Sequence, residues 1–127
     1  MEKVTKKQII ELVVATLKGD ADVQRLTDGN VFAFFSKQPV SGPFIALDSY
    51  ATTFDQCKDG RYADGFSFTV ACVADSLTTV DAMEERVTAL LDGLTDDTLP
   101  DSLRLTSIVT SGDGNDFVCK INIETDL

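Results

Sequence analysis

Hydrophobic and polar positions alternate along residues 62–74 and then change to a helical spacing. Phe66, Phe68, Val70 and Cys72 recur at every second residue, which is typical of a strand with one face against a core. The next apolar side chains are separated by intervals that fit one stripe of an α-helix: Val80, Met83, Val87, Leu90, Leu91 and Leu94. We therefore predict a long strand followed by an amphipathic helix of residues 76–94 that packs on the sheet.

The same reasoning predicts the other elements. A helix is expected at residues 5–18, with Thr5 as N-cap and Gly19 as C-cap, and a short helical turn from Asp20 through Leu26. Strands are predicted at residues 31–35, 44–54, 103–110 and 117–124, with polar turns at 55–61 and 111–116. In the strand of residues 44–54, we expect Ile45 and Leu47 on one side, and Tyr50 on the other.

The resulting order is α–β–β–β–α–β–β. It predicts an α+β fold with a mainly antiparallel sheet of four to five strands and two main helices packed on one face. The length of 127 residues indicates a single domain that spans residues 1–127. No apolar run approaches the ~18–20 residues that span a bilayer, and the charged N-terminus lacks the pattern of a signal peptide. We therefore expect an intracellular protein without a membrane contact.

The net charge of −10 lies almost wholly in the second half of the chain. Residues 1–62 are neutral, whereas residues 63–127 hold three basic and thirteen acidic side chains. Binding to phosphate backbones is driven by Lys and Arg, so we expect no sequence-specific nucleic-acid binding. Asp81, Glu85 and Asp92 follow the polar side of the predicted helix. This side is either an ordinary solvated face or a negatively charged surface with a function, such as the lining of a channel for a polyanion.

The candidate chemistry is sparse. The sequence has no histidine, no phosphate-binding glycine loop and no CxxC pair among its three cysteines, which removes most acid–base, nucleotide and zinc sites. Asp113, Asn115 and Asp116 lack the spacing of a calcium loop and fit a hairpin turn better. We therefore predict no catalytic residues, no metal and no cofactor. We expect the cysteines to be free thiols, with Cys72 and Cys119 buried.

Five side chains are candidates for contacts with a partner. Phe34, Phe35 and Phe54 either anchor a partner or pack in the core. Arg61 and Tyr62, which precede the long strand, either form a contact on a loop or belong to the ordinary surface. The pattern leaves both interpretations open.

The order of these segments resembles the small tail-completion (tail terminator) proteins of long-tailed phages and prophages. The resemblance covers nearly the whole chain and rests on pattern and order. It is carried by the first helix and its continuation (residues 9–23), the turn before Val31-Phe32, the strand that begins at Pro43-Phe44, the Gly60-Arg61 turn before residues 66–72, the helix of residues 76–94 and the closing strand of residues 117–123.

This resemblance implies a structural role without catalysis. Six copies would form a ring that caps the tail tube, stops its growth and faces the head–tail connector proteins, while DNA passes through the centre. Because a like-charged lining lets DNA slide, our hypothesis places Asp81, Glu85 and Asp92 toward the lumen. Assembly would occur in the cytoplasm of the bacterial host, and the protein would then belong to the virion tail.

Three alternatives remain at this point. A head–tail connector or neck component would differ from a terminator only in its partners. A small intracellular ligand-binding domain would need a pocket between sheet and helices. An enzyme that uses only carboxylates would need a converging pair of them.

Overall fold

The computed structural model describes residues 6–32, 42–57, 60–95 and 102–126, and for residues 6, 52–57, 60–64, 113 and 126 it describes the backbone alone. The elements are α1 (Lys6–Lys18), α2 (Ala21–Thr27), β1 (Val31–Phe32), β2 (Phe44–Cys57), β3 (Gly60–Ala74), α3 (Leu77–Leu91), β4 (Arg104–Asp113) and β5 (Asp116–Asp126).

These strands form one sheet in the order β1-β2-β3-β5-β4. Only the pair of β1 and β2 is parallel, and the other three pairs are antiparallel. β3 is the central strand, between β2 and β5, and β4 is an edge strand. The predicted α+β class and the order of the elements are confirmed.

The core lies between one face of this sheet and the helices. Val80, Met83, Val87 and Leu91 of α3 are fully buried in it, and Leu90 and Leu94 pack against it from the side. The sheet contributes the alternating side chains that the sequence predicts: Phe66, Phe68, Val70 and Cys72 from β3, and Cys119, Ile121 and Ile123 from β5. Burial of such side chains is the main favourable term in folding, so α3 and β3 form the centre of the structure.

A β-bulge at Asp48 corrects one prediction for β2. Leu47 pairs with Val70, but Ser49 pairs with Thr69, so Asp48 is an extra residue. One extra residue reverses the alternation of side chains. Tyr50 therefore lies on the same face as Leu47, and its ring meets that of Phe66 edge-on at 5.7 Å. The prediction that Tyr50 lies opposite Ile45 and Leu47 is wrong.

Several element ends also differ from the predictions. α3 ends at Leu91, and Gly93 follows in the left-handed conformation (φ 78°). The turn predicted at residues 55–61 is wrong over most of its length, because β2 continues to Cys57 and β3 begins at Gly60. The turn predicted at residues 111–116 shortens to Gly114 and Asn115. Gly19 follows α1 without a positive φ, and Thr5 and residues 33–35 lie outside the described ranges.

Cys72 and Cys119 are free thiols in the core, as predicted. They are directly opposite each other in the β3–β5 ladder. Burial raises the pKa of both thiols above the ordinary value, which disfavours the reactive thiolate. Their environment is that of structural cysteines.

The contrast between two leucines of α3 tests this description of the core. Leu91 is fully buried, whereas Leu77 is 47% exposed. We expect Leu91→Ala to lower the free energy of unfolding by about 2–5 kcal/mol, since it leaves a cavity. The matched variant Leu77→Ala should lower it by less than about 1 kcal/mol. Urea denaturation monitored by circular dichroism measures both values, and equal losses would contradict the assigned core.

Candidate functional site

In the part of the chain that the structure describes, no group of three or more candidate metal-ligating residues converges. Within the same ranges, no helix is both long and apolar enough to cross a membrane. Three surfaces of the described residues are candidates for a functional site.

The first of these surfaces is a two-stranded arm at one end of the sheet. Among the described residues, β3 pairs with β5 from Gly65 to Ala74, whereas its earlier residues, 60–63, pair with β2 alone. The β2–β3 hairpin therefore extends beyond the rest of the described sheet, over residues 54–57 and 60–63. We call this segment the hairpin arm. A shift in register between Thr53 and Phe54 marks its base.

Three of the five predicted contact residues lie on the hairpin arm. Phe54 pairs with Ala63, Tyr62 with Asp55, and Arg61 with Gln56. Phe34 and Phe35 lie outside the described residues. The structure thus places Phe54, Arg61 and Tyr62 on one hairpin. The sequence had predicted Phe54 at the end of one strand and Arg61 and Tyr62 as a possible loop contact before the next.

The second surface is the outward side of α3, where Asp81 and Glu85 are both exposed. The helix contains one basic residue, Arg86, and this guanidinium is already bound to Asp20. Among the described residues, Asp81, Glu84 and Glu85 have no ion-pair partner. The helix therefore presents an acidic face, which we call the acidic face of α3.

Asp92, the third predicted acidic residue, has a different position. It follows the last turn of α3 as its C-cap, and its backbone N–H donates to the Thr88 carbonyl. The Leu105 N–H donates to its carboxylate at 3.3 Å. Asp92 thus lies next to the acidic face of α3 but also connects the helix end to β4, a role that its spacing in the sequence did not indicate.

An ion pair holds the short helix α2 against α3. Asp20 is the N-cap of α2 and accepts from the Val23 N–H at 3.0 Å. Its two carboxylate oxygens also accept from Arg86, at 2.9 Å from Nε and 2.6 Å from Nη2. This hydrogen-bonded contact lowers the pKa of Asp20 from 3.8 to about 2. The sequence suggested Asp20 as the start of a helical turn but not its partner 66 residues away.

The third surface is the face of the sheet opposite the helices, which is polar. Thr69 donates to Asn122 Oδ1 at 2.6 Å, and Asn122 Nδ2 donates to Ser107 at 2.8 Å. These residues line an open depression of about 340 Å³ together with Ser49, Ser67 and Thr106. Nearby, Lys120 and Asp48 form an ion pair across β3 at 3.2 Å.

Comparison with known proteins identifies a structural neighbour. No family of known proteins matches the sequence, and no curated protein matches it either. A chain in the solved virion of the native gene transfer agent particle has the same fold, with a TM-score of 0.72 and 18% sequence identity. The alignment covers 90% of this chain and 90% of that chain. At this identity, the likeness demonstrates the shared fold.

The pKa of Asp20 predicts how acid affects stability. Because this pKa is lower in the folded state than in the unfolded state, the ionised carboxylate stabilises the fold. Its contribution is complete above about pH 4 and is lost as the pH falls toward about 2. Asp20→Asn retains an N-cap acceptor but removes the charge. We expect this variant to be less stable than the wild type at pH 7, and we expect most of this difference to be lost near pH 2.

Urea denaturation midpoints at several pH values measure this difference. Asp28→Asn is the control, because Asp28 is exposed and its left-handed conformation (φ 53°) is one that asparagine adopts readily. A stability gap for Asp20→Asn that stays constant between pH 7 and pH 2 would contradict the role of its charge.

Proposed function

We propose that this protein is a structural component of a phage-like virion, and more specifically a tail terminator. The observation that carries the proposal is the shared fold with a chain of a gene transfer agent virion, which extends over nine-tenths of both chains. The order of elements that resembles tail-completion proteins supports the finer assignment. In this proposal, the protein acts through its surfaces and not as an enzyme.

The proposed assembly is a homo-hexameric ring that caps the tail tube. The ring would contact the tail tube protein on one side and the head–tail connector proteins on the other. It would assemble in the cytoplasm of the bacterial host and remain in the virion. The hairpin arm supports this proposal because it presents residues beyond the sheet, where a neighbouring subunit or the tube can meet them.

The acidic face of α3 suits the wall of a DNA passage. Asp81 and Glu85 are exposed, and Arg86 does not neutralise them because it is bound to Asp20. A wall of negative charge repels phosphate groups, which favours the movement of DNA over its binding. We therefore propose that Asp81 and Glu85 face the lumen, with Asp92 beside them.

A head–tail connector or neck component is the alternative within the same class. It would use the same kinds of surface with different neighbours, so binding to purified tail tubes separates the two assignments. Small-ligand binding has less support, because the described depression on the sheet is open and lined mainly by hydroxyl groups, whereas small molecules usually occupy enclosed, mostly apolar pockets.

The native mass tests the ring. Six copies of a 13.8 kDa chain give a mass of about 83 kDa, which light scattering would detect either for the free protein or after addition of tail tubes. Image reconstruction of that species should show six-fold symmetry and acidic α3 faces toward the centre. Asp81 and Glu85 on the outer rim would contradict the proposed lining, and a protein that forms no ring on tubes would contradict the terminator assignment.

The hairpin arm generates a separate prediction. We expect Phe54→Ala to abolish ring formation or tube binding while the monomer keeps its unfolding transition. Phe68→Ala is the contrasting variant, since Phe68 is buried and its loss should lower the free energy of unfolding by about 3–5 kcal/mol. Cosedimentation with tubes and thermal denaturation measure the two effects. A Phe54→Ala variant that unfolds like Phe68→Ala would place Phe54 in the core instead.

A further inference from the structure

The edge strand β4 has an open segment that other parts of the described chain do not cover. Residues 106–112 are all exposed, including Ile108 at 37% and Val109 at 56%. Closer to the start of the strand, the edge is closed. The Leu105 N–H donates to Asp92, and Leu103 exchanges backbone hydrogen bonds with Gly93 and Leu94. We call residues 107–113 the open edge of β4.

The hairpin turn determines which backbone groups face outward on this edge. Gly114 (φ 64°) and Asn115 form a two-residue turn between the paired residues Asp113 and Asp116. Residues that flank such a turn exchange hydrogen bonds, and the pattern alternates along the ladder. Ser111, Val109 and Ser107 therefore bond to β5, whereas Ile108, Thr110 and Gly112 direct their N–H and C=O groups away from the sheet.

The open edge lacks the usual protection against pairing with another strand. Natural edge strands are commonly blocked by charged side chains, proline or an early end. Residues 105–112 contain no charged residue and no proline. The bulge at Thr106 precedes the open edge and does not interrupt it. A further strand can therefore add to the sheet through backbone hydrogen bonds.

We propose that the open edge of β4 pairs with the same edge of a second copy of this chain, in antiparallel orientation about a two-fold axis at Thr110. In this register Thr110 is opposite Thr110 of the second copy, Ile108 is opposite Gly112, and Ser107 is opposite Asp113. The three outward-facing residues of one copy are then opposite the three outward-facing residues of the other. Each of these three pairs exchanges two backbone hydrogen bonds, which gives about six in total.

Two observations favour a second copy as the occupant. The first is register, because the outward-facing residues Ile108 and Gly112 lie two positions on either side of Thr110, so each outward-facing residue of one copy meets an outward-facing residue of the other. The second is charge. The chain carries a net charge of −10, but residues 107–112 are uncharged, so two copies can approach along this segment without like charges opposite each other.

This two-fold contact is separate from the proposed ring. A six-membered ring closes through contacts between two different surfaces, whereas a two-fold contact joins identical ones. The β4 pair therefore belongs to the protein outside the ring, and either proposal can fail without the other. Because strand pairing alone buries a small area, we expect a reversible dimer that forms at high concentration.

Sedimentation equilibrium over about 5 to 500 µM protein tests the dimer, a range suited to a small, transient interface. We expect Thr110→Lys to weaken dimerisation several-fold, because it places like charges directly opposite each other. Thr78→Lys is the matched control, since it makes the same change at an exposed residue of α3. Thermal denaturation verifies that both variants remain folded.

The mixture of two variants tests the register itself. Thr110→Glu should also be monomeric alone, again because like charges meet at the axis. An equimolar mixture of Thr110→Lys and Thr110→Glu should recover the dimer, since opposite charges then face each other. A wild type that stays monomeric throughout, a dimer that Thr110→Lys leaves unchanged, or a mixture that remains monomeric would overturn the proposal.

Discussion

The contact between α3 and the central strand β3 is the interaction on which the other elements depend. β3 holds β2 on one side and β5 on the other, and α3 covers its apolar face with four fully buried side chains. The same helix binds α2 through Arg86 and connects to β4 through Asp92. One side of α3 is buried in the core and must be apolar. The opposite side is exposed, so its charged residues are free of the requirements of folding and can serve another function.

The hydrophobic pattern could predict this centre because burial alone determines it. Residues 66–72 and 80–91 repeat at the periods of a strand and a helix without interruption, so their elements and faces were assigned correctly. The pattern fails at Tyr50 for a physical reason. A bulge adds one residue without a sequence signal of its own, and every later side chain then changes face. The apolar character of both faces near Ala46 hid this change.

The candidate surfaces were harder to predict, since backbone pairing forms them more than side-chain burial does. Asp55 and Gln56 have the composition of a turn, yet they belong to β2 because they pair with Tyr62 and Arg61 across the hairpin arm. Ser111 and Gly112 extend β4 in the same way. The acidic side of α3 could be predicted from its spacing, whereas the bond between Asp92 and Leu105 depends on a loop closure that no local pattern encodes.

The positions of these surfaces in the sheet have a consequence for assembly. The hairpin arm lies at the start of β3, while the open edge of β4 lies beside the end of β3, where Ala74, Phe117 and Gly112 are in register. The open edge runs beside residues 69–74 of β3, so it begins about six residues beyond the hairpin arm, or roughly 20 Å at about 3.3 Å per residue. The two surfaces also lie on different strands of the sheet. In the proposed assembly, these separate surfaces would allow contacts with a tube, a neighbouring subunit and a second copy without competition among them.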